Sequence, residues 1–307
     1  MGIINIQAEL NNDTRNSYEL WKPFRDANRE QVYKLVFKRN FLNYNRALLL
    51  GAGNGNDIDI NYFEGIFDEI TIVDIDETAM DNLISRAKYP EKFIKRFIDL
   101  SGVGEQFNNF QFKGKSTSQI ETFIRKLTVL HDFSSLTGEF DCIVNCNYTS
   151  QLVNPFIYSK LDEYKINPST NLILLLSDLN KKIIINIFNN INQLLHEKGL
   201  FIHSTDTFEL AHNEKTSYKS TGLEEILTAL KGNLLDMTPL HNPETFSKLS
   251  KYLLVGNYID ADRFKFESLR YVPWKFSMND DYVKYYICSV YVFKKGISIN
   301  YNTINNL

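Results

Sequence analysis

At 307 residues, with 43% hydrophobic and 23% charged side chains, the chain can bury a substantial core as one large domain or two small ones. A net charge of −3 with scattered lysines and arginines gives no basic footprint, so no nucleic-acid partner is expected. Three cysteines point to a reducing compartment rather than a disulfide framework, and no apolar run reaches the roughly 18 to 20 residues of a helical membrane span.

Met1 to Leu10 has neither a basic leader nor a long apolar core, and Ile6 stands where a myristoylation motif wants Ser or Thr. A cytoplasmic location is the expectation. Residues 1–16 are polar and expected to be loose. From Ser17 onward Tyr18, Trp21, Phe24, Val32, Tyr33, Leu35, Val36 and Phe37 recur at helical spacings. This predicts one helix, or two short ones, ending near Asn43, with Pro23 in a first turn. Residues 1–45 are therefore expected to form a helical cap.

The most informative stretch comes next. Ala47-Leu-Leu-Leu50 reads as a buried parallel strand. Gly51, Gly53 and Gly55 then supply a tight strand-to-helix turn that lets a ligand approach bare backbone. A helix is predicted over Ile58 to Ile66, capped by Asp57 or Asn56. The β-branched run Ile70 to Val73 ends in Asp74, nineteen residues beyond Gly55 and placed to accept hydrogen bonds from a ribose diol. A dinucleotide fingerprint would need a third glycine at position 56, which is Asn56, so a nicotinamide enzyme is disfavoured.

This G-x-G-x-G turn with a strand-end acid resembles the class I S-adenosylmethionine (SAM)-dependent methyltransferase family. The resemblance covers roughly residues 46–205 and the last strand, and only the turn and Asp74 are specific. It implies a Rossmann-like, doubly wound α/β fold: a seven-stranded sheet, mostly parallel with the last strand antiparallel, plus the N-terminal cap. Residues 46–307 would then be the cofactor-binding domain, elaborated as an acceptor pocket over about 207–282. It also implies a SAM site with S-adenosylhomocysteine (SAH) as product, built from Gly51, Ala52, Gly53, Asn54, Gly55, Asp57, Asp74 and Ile75. Helices before the first strand often cover the cleft in that family. Tyr18, Trp21 and Arg25 are thus candidates for substrate or cofactor contact, the plainer alternative being that Trp21 and Phe24 only dock the helix.

Further along, Glu77 to Ala87 reads as a helix and Lys95 to Asp99 as the third strand. In the resembled family a polar residue at this strand's end meets the adenine amino group. Asp99 fits that position, with Asp132 as its rival. Residues 103–138 look like an insertion, with a helix over Ser118 to Leu127. Phe140 to Tyr148 is a clear fourth strand, and Asn145, Asn147 and Tyr148 at its carboxyl end should face the transferred group. They match no Asn/Asp-Pro-Pro-Tyr/Phe signature of base-methylating enzymes. Cys142 and Cys146 share a strand face without metal-ligand neighbours, so no metal is expected.

Asn180 to Glu197 is amphipathic and predicts a helix closed by Gly199, before a fifth strand over Leu200 to His203. His203 and Asp206 would lie just past that strand's end, where His203 is either a general base or a hydrogen-bonded loop residue. Residues 211–282 are least regular: a helix over Leu223 to Leu230, a strand over Tyr252 to Val255, and an aromatic run with Phe266, Tyr271, Trp274 and Phe276. Trp274 is the candidate for an acceptor pocket. The last strand is Tyr285 to Phe293, and the polar tail from Gly296 is expected to fray.

These features predict methyl transfer to a small-molecule or peptide-derived acceptor, with Tyr148 and His203 as candidate catalytic groups. SAM carries the hard chemistry, so positioning is the main task left to the protein. Aminopropyl or aminobutyrate transfer from the same cofactor is one alternative, although Asn145 to Tyr148 lack the acidic cluster it uses. A non-catalytic nucleoside-binding protein is the other.

Overall fold

The computed structural model describes residues 2–40, 45–259, 261–278 and 282–296. Eight strands form one sheet: β1 (Arg46–Leu50), β2 (Glu69–Asp74), β3 (Phe93–Phe97), β4 (Phe140–Cys146), β5 (Leu195–Asn213), β6 (Tyr218–Lys219), β7 (Phe264–Met278) and β8 (Tyr282–Lys295). Their order is β3-β2-β1-β4-β5-β8-β7, with the two-residue β6 paired to the far end of β5. The first five strands are parallel, and β8 runs antiparallel between β5 and β7. This is the Rossmann-like, doubly wound sheet expected from the sequence, with β6 added.

The alternation of β1 assigns its two faces. Leu48 and Leu50 join Val73, Ile143 and Phe201 in one core, while Ala47 and Leu49 join Ile72, Val144 and Ile202 in the other. Each such fully buried large side chain stabilises the fold by roughly 1.5–3 kcal/mol. The first core is covered by α1 (Ile3–Thr14), α6 (Gly104–Asn109), α7 (Thr117–Lys126), α8 (Asn154–Glu163) and α9 (Thr170–Leu194). The second lies under α2 (Lys22–Asn28), a π-helical turn, α3 (Lys34–Asn40), α4 (Ile60–Glu64) and α5 (Glu77–Ile84). A third core, with Phe208, Ile226, Leu249 and Ile287, packs α10 (Leu223–Ala229) and α11 (Pro243–Leu249) on the outer part of the sheet.

Several expectations need correction. Residues 3–14 are not loose: Ile3 and Ile6 are buried, and α1 docks through them. The helix after the glycine turn is shorter than predicted. Its cap is Asp59, which accepts from the Tyr62 amide at 3.2 Å, rather than Asp57 or Asn56. α9 starts ten residues before Asn180, because Ser177 and Asp178 fall on its solvent face and need not break it. Strand β5 does not stop at His203. Its polar run His203 to Thr207 continues as buried strand, paired to β8 as far as Asn213. Residues 250–252 form a 3-10 turn, and 253–255 are no strand. The predicted helix end near Asn43 and the tail beyond Gly296 lie outside the described residues. Among the described residues, no helix is long and apolar enough to cross a membrane.

The overrun of β5 gives the ligand crevice a second wall. β4 leaves the sheet at Cys146, opposite Ser204, while β5, β8 and β7 continue as an antiparallel extension. That extension stands beside the carboxyl ends of β1 and β4, where open parallel sheets hold ligands.

Candidate functional site

The glycine turn is built by three residues that only glycine occupies easily. Gly51, Gly53 and Gly55 have φ of +67°, +47° and +62°. The amides of Gly51 and Ala52 both donate to the Val73 carbonyl, at 2.9 and 3.1 Å, which ties the turn to the end of β2. A Cβ on Gly51 would overlap the Tyr148 ring, and one on Gly55 would stand 2.6 Å from Leu83 Cδ1. At Gly53 a Cβ would stand 3.3 Å from Asn11 Oδ1, a tight contact with α1, and 4.0 Å from Asp74 Oδ2.

The turn borders a cavity of about 580 Å³ at the carboxyl ends of β1, β2 and β4. Asp74 lines it, accepting from the Gly53 amide at 2.7 Å and the Asp76 amide at 3.0 Å. Burial pushes its carboxyl up to about 6, against those hydrogen bonds. Ile75, Ile98, Leu100 and Ser101 continue the same wall.

Helix α1 closes the turn from above. Asn54 Nδ2 donates to the Asn11 carbonyl at 2.7 Å, and Asn56 Nδ2 to the Thr14 carbonyl at 2.6 Å. Asn11 in turn donates to Asp76 at 2.9 Å. Gln7, Leu10, Asn11 and Thr14 all line the cavity, and the sequence pattern did not single them out. Their signal was the weak spacing of Ile3, Ile6 and Leu10.

On the opposite side, a relay crosses the end of β4. Ser204 Oγ donates to Asn147 Oδ1 at 2.6 Å, and Asn147 Nδ2 donates to Asp57 at 3.0 Å. Asn147 has φ +49°, a conformation asparagine tolerates better than most residues. Asp206, 2% exposed, accepts from Ser150 Oγ at 2.9 Å and from the Cys288 thiol at 3.5 Å. Burial raises the carboxyls of both Asp57 and Asp206 to about 6. Beyond them stand Glu209, Lys284 and the aromatic wall of Trp21, Trp274, Phe276 and Tyr286. Trp21 Nε1 donates to the Phe276 carbonyl at 2.9 Å, and its ring meets Trp274 edge-on at 4.7 Å.

Of the candidates named from sequence, Gly51, Ala52, Gly53, Asn54, Gly55, Asp57, Asp74, Ile75, Asp99, Tyr148, Trp21 and Trp274 line this one cavity. Asp99 does so with its carboxylate already engaged by Ser101 and the Gly104 amide at 2.8 Å, which fixes the start of α6. Its rival Asp132 is exposed, turns onto Ser134 and does not line the cavity.

Four candidates lie elsewhere. His203 is fully buried under the sheet among Phe188, Phe201 and Tyr291, and burial lowers its imidazole to about 3. Asn145, its neighbour across the β4–β5 ladder, is equally buried on that face. His203 was expected at a strand end, but β5 runs on past it, whereas Asn145 does stand at the end of β4; the strand alternation turns both into the core. Arg25 holds the Tyr18 and Asn56 carbonyls and stacks on the Tyr18 ring at 3.5 Å. Arg25 and Tyr18 therefore brace the turn from behind rather than line the cavity.

No family model and no curated protein matches the chain. Among solved structures it is similar to a SAM-dependent methyltransferase from Anabaena variabilis, with 12% identity, a TM-score of 0.44 and 96% of each chain covered. It is similar also to the N-methyltransferase NodS from Bradyrhizobium japonicum, with 10% identity, a TM-score of 0.39, and 90% of this chain and 98% of that one covered. A protein described as a putative RNA methyltransferase from Pyrococcus horikoshii is comparably distant, at 11% identity, a TM-score of 0.38, and 87% and 84% covered. Likenesses this remote carry no property of those proteins over to this chain.

Proposed function

We propose that this chain is a SAM-dependent methyltransferase acting on a small-molecule or peptide-derived acceptor by in-line displacement. One observation carries the proposal. A turn of three left-handed glycines and the strand-end Asp74 open into the same cavity as a separate wall of aromatic and acidic side chains. A cavity with a nucleoside-type cradle at one end and a distinct lining at the other has room for a donor and an acceptor together.

The residues present fit the cofactor. Each Asp74 oxygen accepts one amide hydrogen bond and retains a lone pair for a ribose hydroxyl. Gly53 leaves the backbone open to the cavity, while Ile75, Ile98 and Leu100 give apolar surface for a purine. When bound, SAM supplies an electrophilic methyl on a charged sulfur leaving group. The chain's part is to hold the acceptor in line and exclude water, which α1 and the aromatic wall would do. Residues 1–45 act in this reading as a cap over a cofactor domain spanning 46–307. His203 has no part in it.

A second reading has one observation in its favour. Asp57, Asp206 and Glu209 line the cavity although none directly succeeds β4, and such acids would also suit aminopropyl transfer to an amine. Calorimetric titration of the purified protein with SAM, SAH, decarboxylated SAM and NAD, repeated on Asp74→Ala, tests both. Micromolar binding of SAM and SAH, no NAD binding and loss in the variant are the expected results. Tighter binding of decarboxylated SAM would favour the second reading, and unchanged binding by Asp74→Ala would overturn the assignment. SAH formation with an acceptor would exclude a non-catalytic binding protein.

A further inference from the structure

The cavity has a marked charge bias. Among the described residues its lining carries the carboxylates of Asp13, Asp57, Asp74, Asp99, Asp206 and Glu209 but only one basic side chain, Lys284. Lys284 is already committed: its Nζ pairs with Glu209 at 3.0 Å and sits over the Tyr286 and Phe276 rings, at 4.7 and 5.6 Å from their centroids. An ammonium is thus seated against this wall in the protein itself, held by a carboxylate and two aromatic faces. Asp206 stands on the same wall, 2% exposed, with only neutral donors as hydrogen-bond partners. Among the described residues neither Asp206 nor Asp57 forms an ion pair. The pull of Lys284 on Asp206 and of Arg25 on Asp57 offsets only part of the cost of burying these carboxylates, and a cationic ligand would offset more.

We propose that the acceptor is a primary or secondary amine carried on an apolar body, its nitrogen held by Asp206 and Asp57 and its body against Phe276 and Tyr286. The inference rests on the SAM assignment above and adds the substrate class. Anionic acceptors are repelled by the same carboxylates.

The step balances for an amine. The bound ammonium gives one proton to the Asp206 carboxylate, which frees the nitrogen lone pair. That pair forms the N–C bond to the methyl as the C–S bond breaks, and the C–S electrons stay on sulfur as the thioether of SAH. The product leaves as a methylammonium, and the proton on Asp206 passes to solvent.

Three probes of one shape test this: benzylamine, benzyl alcohol and benzoate, titrated into the full-length protein already saturated with SAH. Benzylamine should bind about tenfold or more tightly than the alcohol, and benzoate most weakly. The isosteric Asp206→Asn should abolish that preference while still binding SAH, which also reports that the variant is folded. Asp57→Asn, the second variant, should reduce the preference. Equal binding of amine and alcohol, or a preference that survives both substitutions, would overturn the amine proposal. Failure to bind SAH, read before any probe is added, would overturn the cofactor assignment instead.

Discussion

The side-chain amide of Asn56 donates to the backbone carbonyl of Thr14 at 2.6 Å. Position 56 is where a dinucleotide turn would carry its third glycine, and here the side chain fastens the last turn of α1 over the cradle. Asn54, between the second and third glycines, does the same for Asn11. The two asparagines therefore couple the turn's departure from the dinucleotide pattern to the closure of the site.

Asn56→Ala should accordingly loosen α1 without unfolding the sheet. Losing one such hydrogen bond costs about 1 kcal/mol. Hydrogen exchange should rise across residues 3–14 and stay unchanged in β1, β2 and β4. Unchanged exchange in α1 would mean that the Asn56 bond is dispensable and that its apolar packing and the Asn54–Asn11 bond hold it.

The three glycines should not be equally sensitive. Gly51→Ala combines a left-handed backbone, costing about 1–2 kcal/mol, with overlap onto the Tyr148 ring. Little folded protein is expected, and Gly51→Ala/Tyr148→Ala should recover part of the urea midpoint. Gly53→Ala crowds only the Asn11 side chain, at 3.3 Å, which must give by a few tenths of an ångström, so it should fold with a loss of about 1–2 kcal/mol. Its methyl would still intrude on the cradle 4.0 Å from Asp74 Oδ2, weakening SAH binding more than stability. If the double variant is no better than Gly51→Ala, dihedral strain rather than overlap dominates.

The cradle was legible in the sequence because its parts are local. Strand, glycines and Asp74 lie within some thirty residues, and the glycines' positive φ is a property of that residue type. The opposite wall was legible only in part: Asp57 and Trp274 were named, but Asp206, Trp274 and Tyr286 come together only through the β5–β8–β7 extension. His203 to Thr207 reads as a polar strand end, yet it stays buried because Thr205 bonds Thr149 at 3.0 Å and Thr207 bonds Ser289. No periodicity announces partners that far away. The same overrun of β5 took His203 out of the site and into the core. α1 was missed because its apolar anchors are few, Ile3, Ile6 and the partly buried Leu10, while Asn11 and Thr14 hold it through polar contacts.

If Asp74 holds the cofactor as proposed, its carboxyl, raised to about 6 by burial, should make cofactor binding pH-dependent. Ribose hydroxyls are held best by the ionised form, so SAH affinity should be level above pH 7 and fall as pH drops through 6. Asp74→Asn should bind about tenfold or more weakly and lose that inflection. A wild-type profile flat from pH 8 to 5 would assign the ribose to other groups.

Folding stability should respond to acid through two opposed sets of buried groups. Asp57, Asp74 and Asp206 are raised from 3.8 to about 6, so the folded state holds their protons more tightly than the unfolded chain. Their stabilisation is fully present below 3.8 and lost as pH rises through 6. His203 is lowered from 6.5 to about 3, so its contribution is present above 6.5 and lost as pH falls toward 3. In the wild type the two partly cancel between pH 4 and pH 6. His203→Leu removes only the second, in a pocket already formed by Phe188, Phe201 and Tyr291. Going from pH 7 to pH 4, the variant should therefore fare better than the wild type by about 3 kcal/mol in urea-derived stability. Comparing each protein with itself at the two pH values cancels any change in baseline stability from the substitution. Parallel pH profiles for the two proteins would mean that His203 accepts a proton in place, with water reaching its ring.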